Sequence, residues 1–255
     1  MSNLIYNEIY KMIANRKLVI FLFLTIGILL LPAASLIIPE LDIPFTGQDY
    51  AINMLSGTIS MLLPLFIIVM LAEMFASEYE KGTLKNSLIQ PVLRTEVLAA
   101  KVIAVGIITS VLLLVSMIFS YIIGTLLFGW GEGVLIGGET VSGINGVLIT
   151  LASHLVSLIP LMAFAFVILA ICVAASSGTT AIGVSIGVFF ALTFLGQLVE
   201  QVRPYLITTH LSFYIQVIEP ALRQNLLFTV VVLAAYAVAF LVLAVAMFKR
   251  KQIIL

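Results

Sequence analysis

Charge is scarce in this chain. Only 9% of its 255 residues are Asp, Glu, Lys or Arg, where an ordinary soluble domain carries about 25%. Hydrophobic residues make up 62%, more apolar surface than a fold of this length can hide from water alone. The formal net charge is zero, which removes the basic footprint of a nucleic-acid binder. One cysteine, Cys172, leaves no internal disulfide to form, and its apolar surroundings mark a buried thiol. There are two histidines, His154 and His210, and no His-Glu-x-x-His string, so a zinc protease is not expected. A serine–histidine pair would have to join His154 to Ser176-Ser177 at opposite ends of one apolar run. The phosphate-binding string Gly-x-x-x-x-Gly-Lys-Ser/Thr is also missing; Lys81-Gly82-Thr83 has the right residue types in the wrong order. Any ATP hydrolysis therefore belongs to another polypeptide.

What the chain does contain is long apolar runs. Six are expected to span a membrane: 18–38, 52–72, 102–128, 147–174, 181–199 and 226–248. Each reaches the roughly 20 residues a bilayer core requires. The first follows Lys11, Arg16 and Lys17 and contains Pro32-Ala33-Ala34-Ser35, the pattern of a cleavable leader. Its apolar character continues through Leu36-Ile37-Ile38, which favours a span. Prolines 32, 64 and 160 predict kinks. Lys and Arg placement sets the orientation. With the N-terminus in the cytoplasm, ten of the twelve basic residues lie inside, and only Arg203 and Arg223 lie outside. The outer loops hold Glu40, Asp42, Asp49, Glu132, Glu139, Glu200 and Glu219. Both termini are thus expected in the cytoplasm.

The loops differ in character. Residues 129–146 carry seven glycines and predict a sharp turn, such as a hairpin. Residues 200–225 mix Leu206, Leu211, Phe213 and Ile218 with polar residues between Pro204 and Pro220, which predicts short amphipathic helices at the outer interface. At the N-terminus, residues 2–17 place Ile5, Ile9, Met12 and Ile13 on one helical face, with Asn3, Asn7, Glu8, Lys11 and Asn15 elsewhere. That predicts a helix lying along the inner surface. The inner loop 175–180 has no charge.

Charge gathers instead in Glu73–Lys101, which holds Glu73, Glu78, Glu80, Lys81, Lys85, Arg94, Glu96 and Lys101. Leu84 and Leu88 stand one helical turn apart, Pro91 ends that helix, and Thr95-Glu96 suits the start of the next. A short helix, a break and a new helix would form a knob outside the bilayer. Glu73 is expected at the interface, with Arg16, Lys17 or Lys101 as partners. His154 inside the fourth span is a candidate for a substrate path, because ionisable groups inside a membrane are functional candidates by default. Gly183-x-x-x-Gly187 permits a close helix approach, within the chain or across a dimer.

The string Ser77-Glu78-Tyr79-Glu80-Lys81-Gly82-Thr83-Leu84, then Pro91-Val92-Leu93-Arg94 and Lys101, resembles the region between spans two and three of bacterial ABC exporter permeases of the type-2 superfamily. The amphipathic N-terminal helix, six spans and short outer helices between spans five and six extend the resemblance over nearly the whole chain. It implies an all-α integral membrane fold, a single permease domain over residues 1–255, in the bacterial plasma membrane. Residues 78–94 would form a coupling helix, with Glu78, Glu80, Lys81, Gly82, Thr83, Leu84, Leu88, Pro91 and Arg94 docking in a groove of an ATPase. The implied partners are two separate ATPase subunits, which carry ATP and Mg, and a second permease copy or paralogue; this chain itself binds no cofactor and performs no catalysis. The implied cargo is amphiphilic: a peptide such as a toxin or bacteriocin first, an antibiotic or lipid next. A secondary transporter would show inverted repeats and intramembrane charge, and a membrane enzyme a convergent polar constellation; the sequence offers neither. A non-transporting immunity or sensor subunit could share the fold.

Overall fold

The computed structural model describes residues 1–32, 46–83 and 93–251. Helix α1 (Ser2–Ala14) meets α2 (Lys17–Leu30) at a bend of 63°. Arg16 makes the corner in the left-handed region, φ 56°, a conformation that costs a residue with a Cβ about 1–2 kcal/mol. Then follow α3 (Gly47–Glu80), α4 (Arg94–Phe128), α5 (Gly143–Ala174), α6 (Gly178–Leu198), α7 (Phe213–Ile218) and α8 (Leu226–Arg250). Five of these are long and apolar enough to cross a membrane, and the α1–α2 pair makes a sixth if its bend lies within one span. Length and composition together fit an all-α protein embedded in a membrane.

Helix α3 runs longer than its expected span, 52–72, in both directions. At one end Thr46 accepts the amide of Asp49 at 3.1 Å, a side-chain cap. At the other, residues 73–80, expected to lie beyond the span, continue the same helix, because no breaker occurs before Gly82, which takes φ 67°. The helix widens to π geometry over Thr58–Leu62 and Ala72–Ser77. The first widening directly precedes Pro64, whose ring would clash with the carbonyl one turn back in a regular helix. Helix α5 is likewise interrupted at Ser157, three residues before Pro160, and the Ser157 hydroxyl donates to the Ser153 carbonyl at 2.7 Å. Helix α4 begins at Arg94, one residue ahead of the expected Thr95 cap; the Glu96 carboxylate accepts the Leu93 amide at 2.9 Å. At 35 residues it is about 50 Å long and outruns a hydrocarbon core of roughly 30 Å.

The glycine-rich loop folds as a hairpin of β1 (Gly133–Ile136) and β2 (Glu139–Ser142), in antiparallel register Gly133↔Ser142 to Ile136↔Glu139. Gly137 and Gly138 both have positive φ, as a two-residue turn of this kind needs. Among the described residues the fold is therefore helical with one small hairpin. Asp49 ties the hairpin to α3 by accepting the Leu135 amide at 2.8 Å. Residues 200–225 form three 3-10 turns and α7, short helical pieces as expected from their sequence.

Helix α3 is the centre of the bundle. Of its apolar window 72% is buried, against 22% for α6 and 11% for the helix that ends at Arg250. It packs on α4 through its first half and on α5 through its second, and α8 lies along α5. Ile67, Ile68, Leu71 and Phe75 sit in one continuous core with Ile108, Leu112, Phe164 and Ile168. In lipid these contacts hold by close packing, since moving a leucine from lipid to protein gains nothing from water release.

Candidate functional site: a charged hub at the basic end

The basic end of the bundle gathers the last turns of α3, the corner between α1 and α2, and the ends of α4, α5, α6 and α8. The side chains of α3 here each hold a different neighbour. Glu78 sits beside a fully buried lysine: Lys101, whose side chain is 0% exposed, donates from Nζ to Glu78 Oε2 and Glu8 Oε2, both at 2.8 Å. Lys11 donates to the other oxygen of each carboxylate, Glu8 Oε1 at 2.9 Å and Glu78 Oε1 at 2.8 Å. Four charges thus close a ring, two of each sign, joining α1, α3 and α4. Burying an unpaired ammonium would cost several kcal/mol; here two charge-assisted bonds offset that cost, and the Phe75 ring lies 5.6 Å from the same nitrogen.

Further along α3, Glu73 pairs with Lys17 of α2, one of its three expected partners. Glu80 Oε2 accepts the Gly178 amide at 2.9 Å, where the exposed amides and dipole of the α6 N-terminus favour a carboxylate. A Cβ on Gly178 would lie 2.0 Å from Ser77 Oγ, so the glycine lets the two helix ends approach. Tyr79 presents its ring 3.9 Å from Lys251 Nζ. That ammonium donates to the carbonyls of Val173 and Ala175 at 2.7 Å each, closing the end of α5. Burial pulls the Lys251 ammonium below its ordinary value. Arg94 of α4 holds the same stretch of backbone, donating to the Lys251 carbonyl at 2.9 Å and that of Lys249 at 3.4 Å.

The expected coupling residues therefore divide. Glu78, Glu80 and Arg94 bind within the chain. Lys81, Gly82 and Thr83 are exposed, and Leu84, Leu88 and Pro91 lie outside the described residues. The N-terminal helix presents a mixed face to the core. Met12 is buried and Ile5 and Ile9 pack against the core, but Ile13 is 52% exposed and Glu8, assigned by periodicity to a polar side, is 4% exposed. The Lys101–Glu8 pair rotates the helix: a partnered carboxylate takes the seam that an isoleucine would otherwise fill.

Other expected residues stand apart from the hub. His154 is buried in the first half of α5, and its Nδ1 lies 2.8 Å from the Thr150 carbonyl of its own helix. Gly183 and Gly187 face outward on α6; a Cβ on either meets nothing within 4 Å, so they serve no close approach inside this chain. Among the described residues no group of three His, Cys, Asp or Glu could hold a metal ion. Sequence reasoning missed Glu8, Tyr79, Gly178 and Lys251. Only Glu8 carried a signal, as an acid three residues before Lys11 on a helix that must meet the buried Lys101.

Comparison with known proteins places these features in a family. The chain belongs to the family described as "Protein of unknown function (DUF2705)", which matches residues 41–254. That stretch includes every hub residue except those on α1 and α2. The chain is also similar to "Uncharacterized protein YhcI" of Bacillus subtilis (strain 168), 28% identical over 232 residues, covering 83% of this chain and 71% of the relative. Neither description names an activity.

Proposed function

We propose that this chain is the permease subunit of an ATP-driven exporter of the type-2 ABC kind. It has six spans, with α2 contributing the first and α1 lying along the inner surface, and both termini in the cytoplasm. Two separate ATPase subunits bind the coupling region 78–94, whose Lys81, Gly82 and Thr83 are exposed, and a second permease copy completes the path. The observation that carries this reading is the hub. The segment offered to a partner leaves α3 immediately after Glu73, Glu78, Tyr79 and Glu80, which grip α2, α1 with α4, the Lys251 segment that closes α5, and α6. A push on that segment moves the bundle as a unit, as mechanical coupling to an ATPase requires. The cargo is amphiphilic, a peptide first, and the chain performs no covalent chemistry.

Purification in mild detergent followed by identification of co-purifying proteins and an ATPase assay tests the reading. A soluble ATP-binding protein should be recovered with the wild type and lost with Leu84→Asp/Leu88→Asp, while the melting temperature of the chain stays the same. A chain that purifies alone and hydrolyses no nucleotide would point to a secondary carrier or a sensor subunit instead.

A further inference from the structure

A groove of about 710 Å³ runs between α1 and the last turns of α3, within the size range of small-molecule sites. One stripe of α1 forms one wall and one stripe of α3 the other. We propose that this groove binds the headgroup of an anionic membrane lipid that carries a single phosphodiester.

Three observations point to that ligand. The first is charge. Glu8, Lys11 and Glu78 on the walls belong to the ring closed by Lys101, which sums to zero, and Glu73 is matched by Lys17. Lys81 remains. It is exposed at the rim and makes no ion pair with any described residue, and it lies near enough to Lys17 for the two cations to repel. Among the described residues the groove thus holds one unmatched positive charge, and a phosphodiester brings one negative charge.

The second is the division of the walls. Asn7 and Asn15 offer exposed amide donors, suited to a hydroxylated headgroup, while Leu4, Met12 and Met74 supply apolar surface for the carbons that follow it. A small inorganic anion would have no use for that apolar part. The third is position. Helix α1 carries stacked, exposed Tyr6 and Tyr10, with ring centroids 6.3 Å apart, and tyrosines of this kind sit at headgroup level. Basic pockets between membrane helices at that level are where anionic headgroups bind.

The test uses the full chain in detergent with phosphatidylglycerol or phosphatidylcholine added, and native mass spectrometry to count retained lipid. One phosphatidylglycerol should be held in preference to phosphatidylcholine. Lys81→Ala should weaken that retention about fivefold, from the roughly 1 kcal/mol a lysine near a lipid surface provides. Asn7→Ala/Asn15→Ala should weaken it as well, and Arg250→Ala, an exposed cation at the same end of the bundle, should leave it unchanged. Equal retention of the two lipids overturns the proposal, as does an Arg250→Ala loss matching that of Lys81→Ala, which would mean unspecific surface attraction. Displacement by millimolar glycerol 3-phosphate would overturn the lipid as ligand and assign the site to soluble phosphate esters.

Discussion

Removing Lys101 tests the hub most directly. In Lys101→Met the carboxylates of Glu8 and Glu78 keep only Lys11 between them. Breaking a buried ion pair costs about 3–5 kcal/mol, and two features set the value within that range. Lys101 has no exposed side-chain surface and makes two bonds of 2.8 Å, which raises the cost. Lys11, with a side chain 36% exposed, still bridges both carboxylates, which lowers it. The expected loss is about 3 kcal/mol, or a fall of about 6–12 °C in Tm at roughly 2–4 °C per kcal/mol for a chain of this size. Cys172 provides the readout: its thiol is buried, so a thiol-reactive fluorophore reports unfolding in detergent. Neutralising the partners in the same chain, Glu8→Gln/Glu78→Gln/Lys101→Met, should recover much of the loss, because the stranded charge is what costs. A fall below about 2 °C for the single variant, or a triple variant less stable than the single one, would refute a buried and mutually dependent ring.

Other expectations follow from packing and titration. Gly124→Ala would place a Cβ 2.6 Å from Tyr50 Cβ and 3.0 Å from the Gly47 carbonyl, and should cost about 1–3 kcal/mol by overpacking, read in the same melting assay. Gly183→Leu and Gly187→Leu meet open space in this chain, so Tm should hold; if α6 forms the seam of a dimer, the variants should shift the chain to monomer by light scattering, and an unchanged oligomeric state removes that face as the seam. His210 lies outside the spans, and burial lowers it from its ordinary value, while its Nε2 approaches the Pro204 carbonyl at 2.8 Å. The unfolded chain then binds the proton more readily than the folded one, so stability should be full above the unfolded value of about 6.5 and decline as pH falls through it. His210→Gln should flatten that decline in melts taken between pH 5 and 8, and an unchanged slope would refute the assignment.

Much of the architecture follows from composition and period. The apolar runs marked the long helices because lipid tolerates only segments that satisfy their own backbone, and each run had a helix over most of its length. The hairpin and the short helices of residues 200–225 followed from clustered glycines and from apolar residues between prolines. Boundaries were less legible. Residues 73–80 read as lying beyond the span because they are polar, yet the spanning helix continues through them, since polarity alone breaks nothing until Gly82 frees the backbone.

Read residue by residue, the chain already marks where it can enter lipid and where its charge lies. Which charges meet emerges only from the packed helices. Glu8 and Lys101 are 93 positions apart, as are Gly178 and Glu80 by 98, and no local period reports such pairs. The same holds for Glu8, whose burial on α1 is made tolerable by its bond to the distant Lys101. Pairing of buried charges is settled by the packing of whole helices, since an ammonium without water must find its partners wherever the fold brings them.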